Sequence, residues 1–110
     1  MTPKESDWKL YSKLVPFWRD RYLQVKNREL SASLSHEGIP PAEQFWEAKG
    51  RMDSVAGVLN EGLGHQSRSN MSLSLLLMHR HGLITDEDVS QFSEVLRQDI
   101  IQCVKKEASV

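Results

Sequence analysis

The sequence holds a single cysteine, Cys103, among its 110 residues. One thiol cannot close an internal disulfide, and it cannot supply the paired cysteines of a structural zinc site. A domain of this length buries roughly two-thirds of the surface that its unfolded chain exposes, so it depends on neither kind of staple. Because disulfide-free chains are typical of reducing compartments, we expect a cytoplasmic protein.

Long apolar runs and an excess of one charge are also missing. The longest unbroken apolar run, Leu75 to Met78, is far shorter than the roughly 20 residues that cross a bilayer. The first residues are polar and charged, which does not fit a signal peptide. With 14 basic and 15 acidic residues the net charge is −1, so no overall field attracts the chain to nucleic acid. We therefore predict no membrane span and no nucleic-acid partner.

Strand patterns and catalytic motifs are absent from the sequence as well. No segment alternates β-branched and polar residues, and there is no glycine-rich phosphate loop, His-Glu-x-x-His or Gly-x-Ser-x-Gly motif. His79 and His81 are two residues apart on a predicted helix, so they point in different directions and cannot share a metal there. We expect a protein that is not an enzyme and holds no metal or cofactor. A small enzyme whose polar groups meet only in the folded chain is an open alternative.

Apolar residues spaced three and four apart run through almost the whole chain and predict an all-α fold. Pro16 interrupts this spacing in the first helix, because proline removes a helix hydrogen bond and crowds the carbonyl four residues back. We predict one domain over residues 1–110, an antiparallel bundle of four main helices with the first helix kinked or split at Pro16. The predicted helices run from about Asp7 to Leu34, from Pro40 and Pro41 to about Leu63, from a Ser67 or Ser69 cap to His81, and from a Thr85 cap to a last turn with Lys105 and Lys106.

The third predicted helix is apolar almost all the way round, so we expect it at the centre of the core with Leu76 buried. Thr85 and Asp88 have the spacing of a capping box at the start of the fourth helix. Its predicted inward stripe is Val89, Phe92, Leu96, Ile100 and Cys103. In the second helix a nearly coiled-coil spacing predicts a packed seam, which Gly64 would end in a left-handed conformation. That seam comprises Phe45, Ala48, Met52, Val55, Leu59 and Leu63.

The polar turn from His65 to Asn70 is a candidate anion site. It contains no acidic residue and leads into a helix N-terminus, where free amides and the positive end of the helix dipole favour an anion. The candidate ligand-binding residues are Ser67, Arg68, Ser69 and Asn70. A ligand-binding or sensory bundle that uses this turn is one interpretation of the chain, although simple capping of the third helix explains the same residues.

Aromatic and small residues of the first two helices form a candidate interface. The first helix carries five of the eight aromatic residues among basic neighbours, more than one narrow helix face can bury. Glycines at two interior positions of the second helix suggest a close backbone neighbour, since each costs about 1 kcal/mol against alanine. The candidate interface residues are Trp8, Trp18, Trp46, Gly50 and Gly57.

Together these patterns favour a protein-interaction or regulatory module that acts as a homodimer, because a symmetric pair is the commonest way to cover surplus apolar surface. In size and helical pattern the chain is also typical of small bacterial helical proteins.

Overall fold

The computed structural model describes residues 4–63 and 67–108. Within these ranges the regular structure is entirely helical, which confirms the predicted all-α class. The described helices are α1 (Glu5–Leu34), α2 (Pro41–Leu63), α3 (Met71–Arg80), α4 (Asp86–Val89) and α5 (Glu94–Ala108). Helix α1 packs on α2, α2 on α3, and α3 on α5. The predicted end of the second helix at Gly64 lies outside the described residues.

Helix α1 continues through Pro16 without a break, so the predicted split does not occur there. Proline at this position removes the hydrogen bond to the carbonyl of Ser12. Both Pro16 and Ser12 are exposed, so water can satisfy that carbonyl on the solvent side of the helix. A kink at Pro16 stays a prediction.

The core lies between the first half of α1 and the helices α3 to α5. The α1 side chains Tyr11, Val15, Trp18 and Tyr22 are buried at three- and four-residue steps, as the spacing predicts. They belong to one cluster with the buried side chains Met71, Leu75, Met78, Leu83, Ile84, Val89, Phe92, Leu96 and Ile100. The prediction for α3 needs a correction, because Leu75 rather than Leu76 is its fully buried leucine and Leu73 is exposed.

The predicted fourth helix is two helices, and a residue far away in the sequence explains the break. Thr85 and Asp88 form the predicted capping box at the start of α4. After Val89 the chain turns, and the carboxylate of Asp7 on α1 accepts hydrogen bonds from Ser93 N at 2.9 Å and Ser93 Oγ at 2.6 Å. Ser93 Oγ in turn accepts from the amide of Leu96, which makes it the cap of a new helix. Val89, Phe92, Leu96 and Ile100 of the predicted stripe are buried on the two sides of this break, and Cys103 is half-buried.

Residues 23–54, which we call the arm, extend beyond the core as an α1–α2 hairpin. The radius of gyration is 16.6 Å, against about 13 Å for a compact chain of this length. The hairpin turns at Gly38, whose positive φ of 86° favours glycine. Gln44 Nε2 donates to the carbonyl of His36 at 2.7 Å and closes this turn. Only Ser33 and Ala48 are buried within the arm.

The packed seam predicted for α2 is therefore only partly correct. Ala48 is buried and Val55, Leu59 and Leu63 pack against the core cluster, but Phe45 and Met52 are exposed. None of the described helices combines the length and hydropathy that a bilayer-spanning helix needs.

Candidate functional site

The predicted anion site is occupied by a carboxylate of the protein itself. Arg68 donates to Glu5 through Nη2 at 2.9 Å and through Nε at 3.2 Å, and its guanidinium lies 5.3 Å from the centre of a Trp8 ring. Hydrogen bonding to Arg68 lowers the pKa of Glu5 below its usual value. Ser67 Oγ accepts from the amide of Asn70 at 3.2 Å and lies 3.2 Å from Ser69 Oγ.

An external anion would thus compete with Glu5 for Arg68 and with a local turn for Ser67. The structure joins the start of α1 to the start of α3 at this point. No local pattern in the sequence indicates this contact, because Glu5 and Arg68 are 63 residues apart. His65, at the start of the predicted site, lies outside the described residues.

Two of the predicted interface tryptophans pack within the chain. Trp18 is 2% exposed and lies in the core beside Phe92, with ring centres 6.1 Å apart. Trp8 is partly buried and stacks on Tyr11 at 5.6 Å. Trp18 is therefore in the core and is not a surface for another chain, and Trp8 is in contact with Tyr11 and Arg68.

The other predicted interface residues are open to solvent on α2. Trp46 is 63% exposed, and its ring meets that of Phe45 edge to face at 5.0 Å. A Cβ placed on Gly50 or Gly57 would meet no described atom within 4 Å. The two glycines therefore do not make room for another helix of this chain.

A groove lies between α1 and α2 on one side of the arm. It has a volume of about 440 Å³, and its lining combines charged side chains with Tyr22, Trp46, Val55 and Val58. Lys26 pairs with Glu29 at 3.1 Å and Arg51 with Glu47 at 3.8 Å, and His36 Nδ1 lies 3.3 Å from Glu47 Oε2. The charged side chains of the lining are therefore engaged within the arm.

The opposite side of the arm carries apolar side chains from both helices. Leu34 and Met52 each lie about 140° around their helices from the groove residues Glu29 and Glu47. The buried residues Ser33 and Ala48 lie between, at the contact of the two helices, so Leu34 and Met52 reach the side of the hairpin away from the groove. Phe45, Met52 and Ala56 fall within about 40° of one another on α2. We call this surface the outer face, and it consists of Leu30, Leu34, Phe45 and Met52 on the arm and of Ala56 just beyond it.

The outer face leaves large side chains uncovered. Leu34 is 54% exposed, and Phe45 and Met52 are each 56% exposed. With the adjoining Trp46 they present roughly 400–500 Å² of apolar surface, which is near the largest patch on a typical monomer and is a mark of interaction sites. The sequence showed these residues as apolar, but it did not show that the core would leave them uncovered.

Among the described residues, no three His, Cys, Asp or Glu side chains converge to hold a metal ion. Comparison with protein-family models, with curated proteins and with solved structures finds no match for this chain. The function is therefore argued from the surfaces described above.

Proposed function

We propose that the protein is a non-enzymatic helical interaction module that acts as a homodimer through the outer face of its arm. The observation that carries this proposal is the exposure of Leu34, Phe45 and Met52 on one side of a two-helix hairpin. Two helices with one apolar side form half of a four-helix bundle, and a second hairpin of the same kind completes it.

The area of the outer face matches what a stable dimer needs. A standard interface buries about 800 Å² on each partner, of which roughly 450–500 Å² is apolar. The outer face with Trp46 offers roughly 400–500 Å² of apolar surface. A second copy brings an identical patch, because a two-fold interface uses the same surface on both subunits.

The charges beside the outer face also favour a second copy. Lys49 and Asp53 form an ion pair at 2.7 Å along the edge of α2, next to Met52. A two-fold axis passing close to Met52 sets Lys49 of one copy against Asp53 of the other, so opposite charges meet on both sides of the axis. Like charges would be brought together only if the two α2 helices ran parallel.

The test is sedimentation at tens of micromolar, with variants matched for exposure. The wild type should sediment at twice the chain mass of 12.6 kDa, and Met52→Glu should be a monomer because a carboxylate would be buried at the seam. Leu73→Glu is the control, since Leu73 is also 56% exposed but lies on α3. A wild type at 12.6 kDa, or loss of the dimer in Leu73→Glu alone, would contradict the proposal.

One further variant distinguishes the outer face from an alternative interface at the glycines of α2. Gly50 and Gly57 lie about 120–140° from Phe45 around the helix, so they border the groove side and not the outer face, while Trp46, at about 100°, lies between the two sides. Gly57→Ala should leave dimerisation unchanged if the outer face is the seam, because the added methyl meets open space in the protomer. If the glycine stripe is the seam, the added methyl instead separates the two backbones and weakens the dimer.

The alternative proposal, an anion-binding or sensory bundle that uses the turn from His65 to Asn70, has less support. In the described part of this turn the one cation, Arg68, is already held in a forked ion pair with Glu5.

A further inference from the structure

A second cavity lies at the other end of the molecule, between α5 and the segment from the end of α3 to α4. It has a volume of about 390 Å³, within the roughly 300–1,000 Å³ of small-molecule sites. Its apolar lining comes from Val89, Ile100, Ile101 and Val104. It shares no residue with the outer face of the arm.

One rim of this cavity is closed by a hydrogen bond between two side chains. His79 Nε2 lies 2.7 Å from Asp86 Oδ1, so the one carboxylate in the lining already has a partner. The pair borders the cavity on the α3–α4 side.

The other rim carries two cations on α5. Arg97, Ile101 and Lys105 follow one another at four-residue steps, so they lie on one side of the helix over about 12 Å. Neither cation has an ion-pair partner among the described residues. The Nε atom of Arg97 is buried and also lacks a hydrogen-bond partner there. Because Nε has almost no accessible surface, a ligand in the cavity would meet the terminal nitrogens of this guanidinium, which form no ion pair with a described residue.

We propose that this cavity binds a small amphipathic carboxylate, with the carboxylate on Arg97 and the apolar tail on Ile100, Ile101 and Val104. A guanidinium offers a carboxylate two parallel hydrogen bonds, and the partly buried position strengthens them. The apolar wall removes the tail from water, and Ile101, which is 39% exposed, is covered in the complex. A purely polar anion such as phosphate would gain no stabilisation from contact with this apolar wall.

The experiment is a titration of the full chain at pH 7 with octanoate, followed by amide chemical shifts. Octanamide, which has the same tail without the charge, is the control ligand. Octanoate should shift the amides of α4 and α5 and bind at least tenfold more tightly than octanamide. Affinity should rise up to about fourfold for each CH₂ added between butanoate and octanoate, because each one buries more apolar surface.

Two variants that each remove one positive charge from α5 test where the carboxylate of the ligand binds. Arg97→Gln should weaken octanoate binding at least tenfold, and Lys106→Gln, on α5 but outside the cavity lining, should leave it within twofold of the wild type. Equal binding of octanoate and octanamide overturns the proposal, and so do equal losses in the two variants. The absence of shifts in α4 and α5 at 10 mM octanoate also overturns it.

Discussion

Replacing Asp7 tests whether one contact between distant segments divides the last part of the chain into two helices. Asp7 is 5% exposed, and its carboxylate accepts both the amide and the hydroxyl of Ser93 at the start of α5. Asp7→Ala removes two charge-assisted hydrogen bonds and loosens the Ser93 cap. The expected loss is about 2–4 kcal/mol of unfolding free energy. At about 4–8 °C for each kcal/mol, Tm should fall by roughly 10–25 °C.

The assay is urea unfolding followed by circular dichroism, with hydrogen exchange as a local readout. Asp20→Ala is the matched control, because Asp20 lies on the same helix but is exposed and pairs only with Arg19 at 3.6 Å. Asp7→Asn keeps one oxygen acceptor and should retain part of the stability. The amides in the first turn of α5 should exchange faster in Asp7→Ala than in the wild type. A loss no larger than that of Asp20→Ala would refute the reasoning.

Two other substitutions test the core and its charged edge. Burial alone would raise the pKa of Asp88, but hydrogen bonds from Arg21 and Thr85 outweigh it and hold this pKa below its usual value. The pair therefore stabilises the fold above the unfolded-state pKa, and the stability difference between wild type and Asp88→Asn should shrink as pH falls from about 5 to below 4. A difference that stays constant over that range in urea unfolding would count against the assignment. Leu75→Ala should cost about 2–5 kcal/mol and Leu76→Ala clearly less, because only Leu75 is fully buried. The reverse order in the same assay would show that α3 is rotated from its described position.

Features that depend on neighbouring residues could be predicted from the sequence. The capping box of Thr85 and Asp88 is a three-residue pattern, and it is present. The buried stripe from Tyr11 to Tyr22 follows from helical spacing alone. The bounds of α2 from Pro41 to Leu63 follow from prolines before it and the apolar repeat within it. In each case the energy that selects the structure comes from residues within a turn or two of one another.

Features that depend on pairing between distant segments could not be predicted. The break before Ser93 needs Asp7, which is 86 residues away, and the engagement of Arg68 needs Glu5, which is 63 residues away. The exposure of Phe45 and Met52 has the same origin. Their spacing is that of a packed seam, but the length of α1 and α2 carries this part of the hairpin past the elements that could cover it.

The construction of the arm also separates the exposed residues of the outer face from the residues that stabilise the core. Because Ser33 and Ala48 are its only buried residues, substitutions on the outer face remove almost no packing from the core. Effects at sites more than about 7–10 Å apart with no shared neighbours usually add independently. Under the proposed function, the outer face can therefore accumulate changes that alter which surface it recognises while the stability of the core stays the same, and the core can be repacked without altering recognition. The arm thus gives the outer face the mutational freedom that other proteins obtain by placing a contact surface on a separate domain.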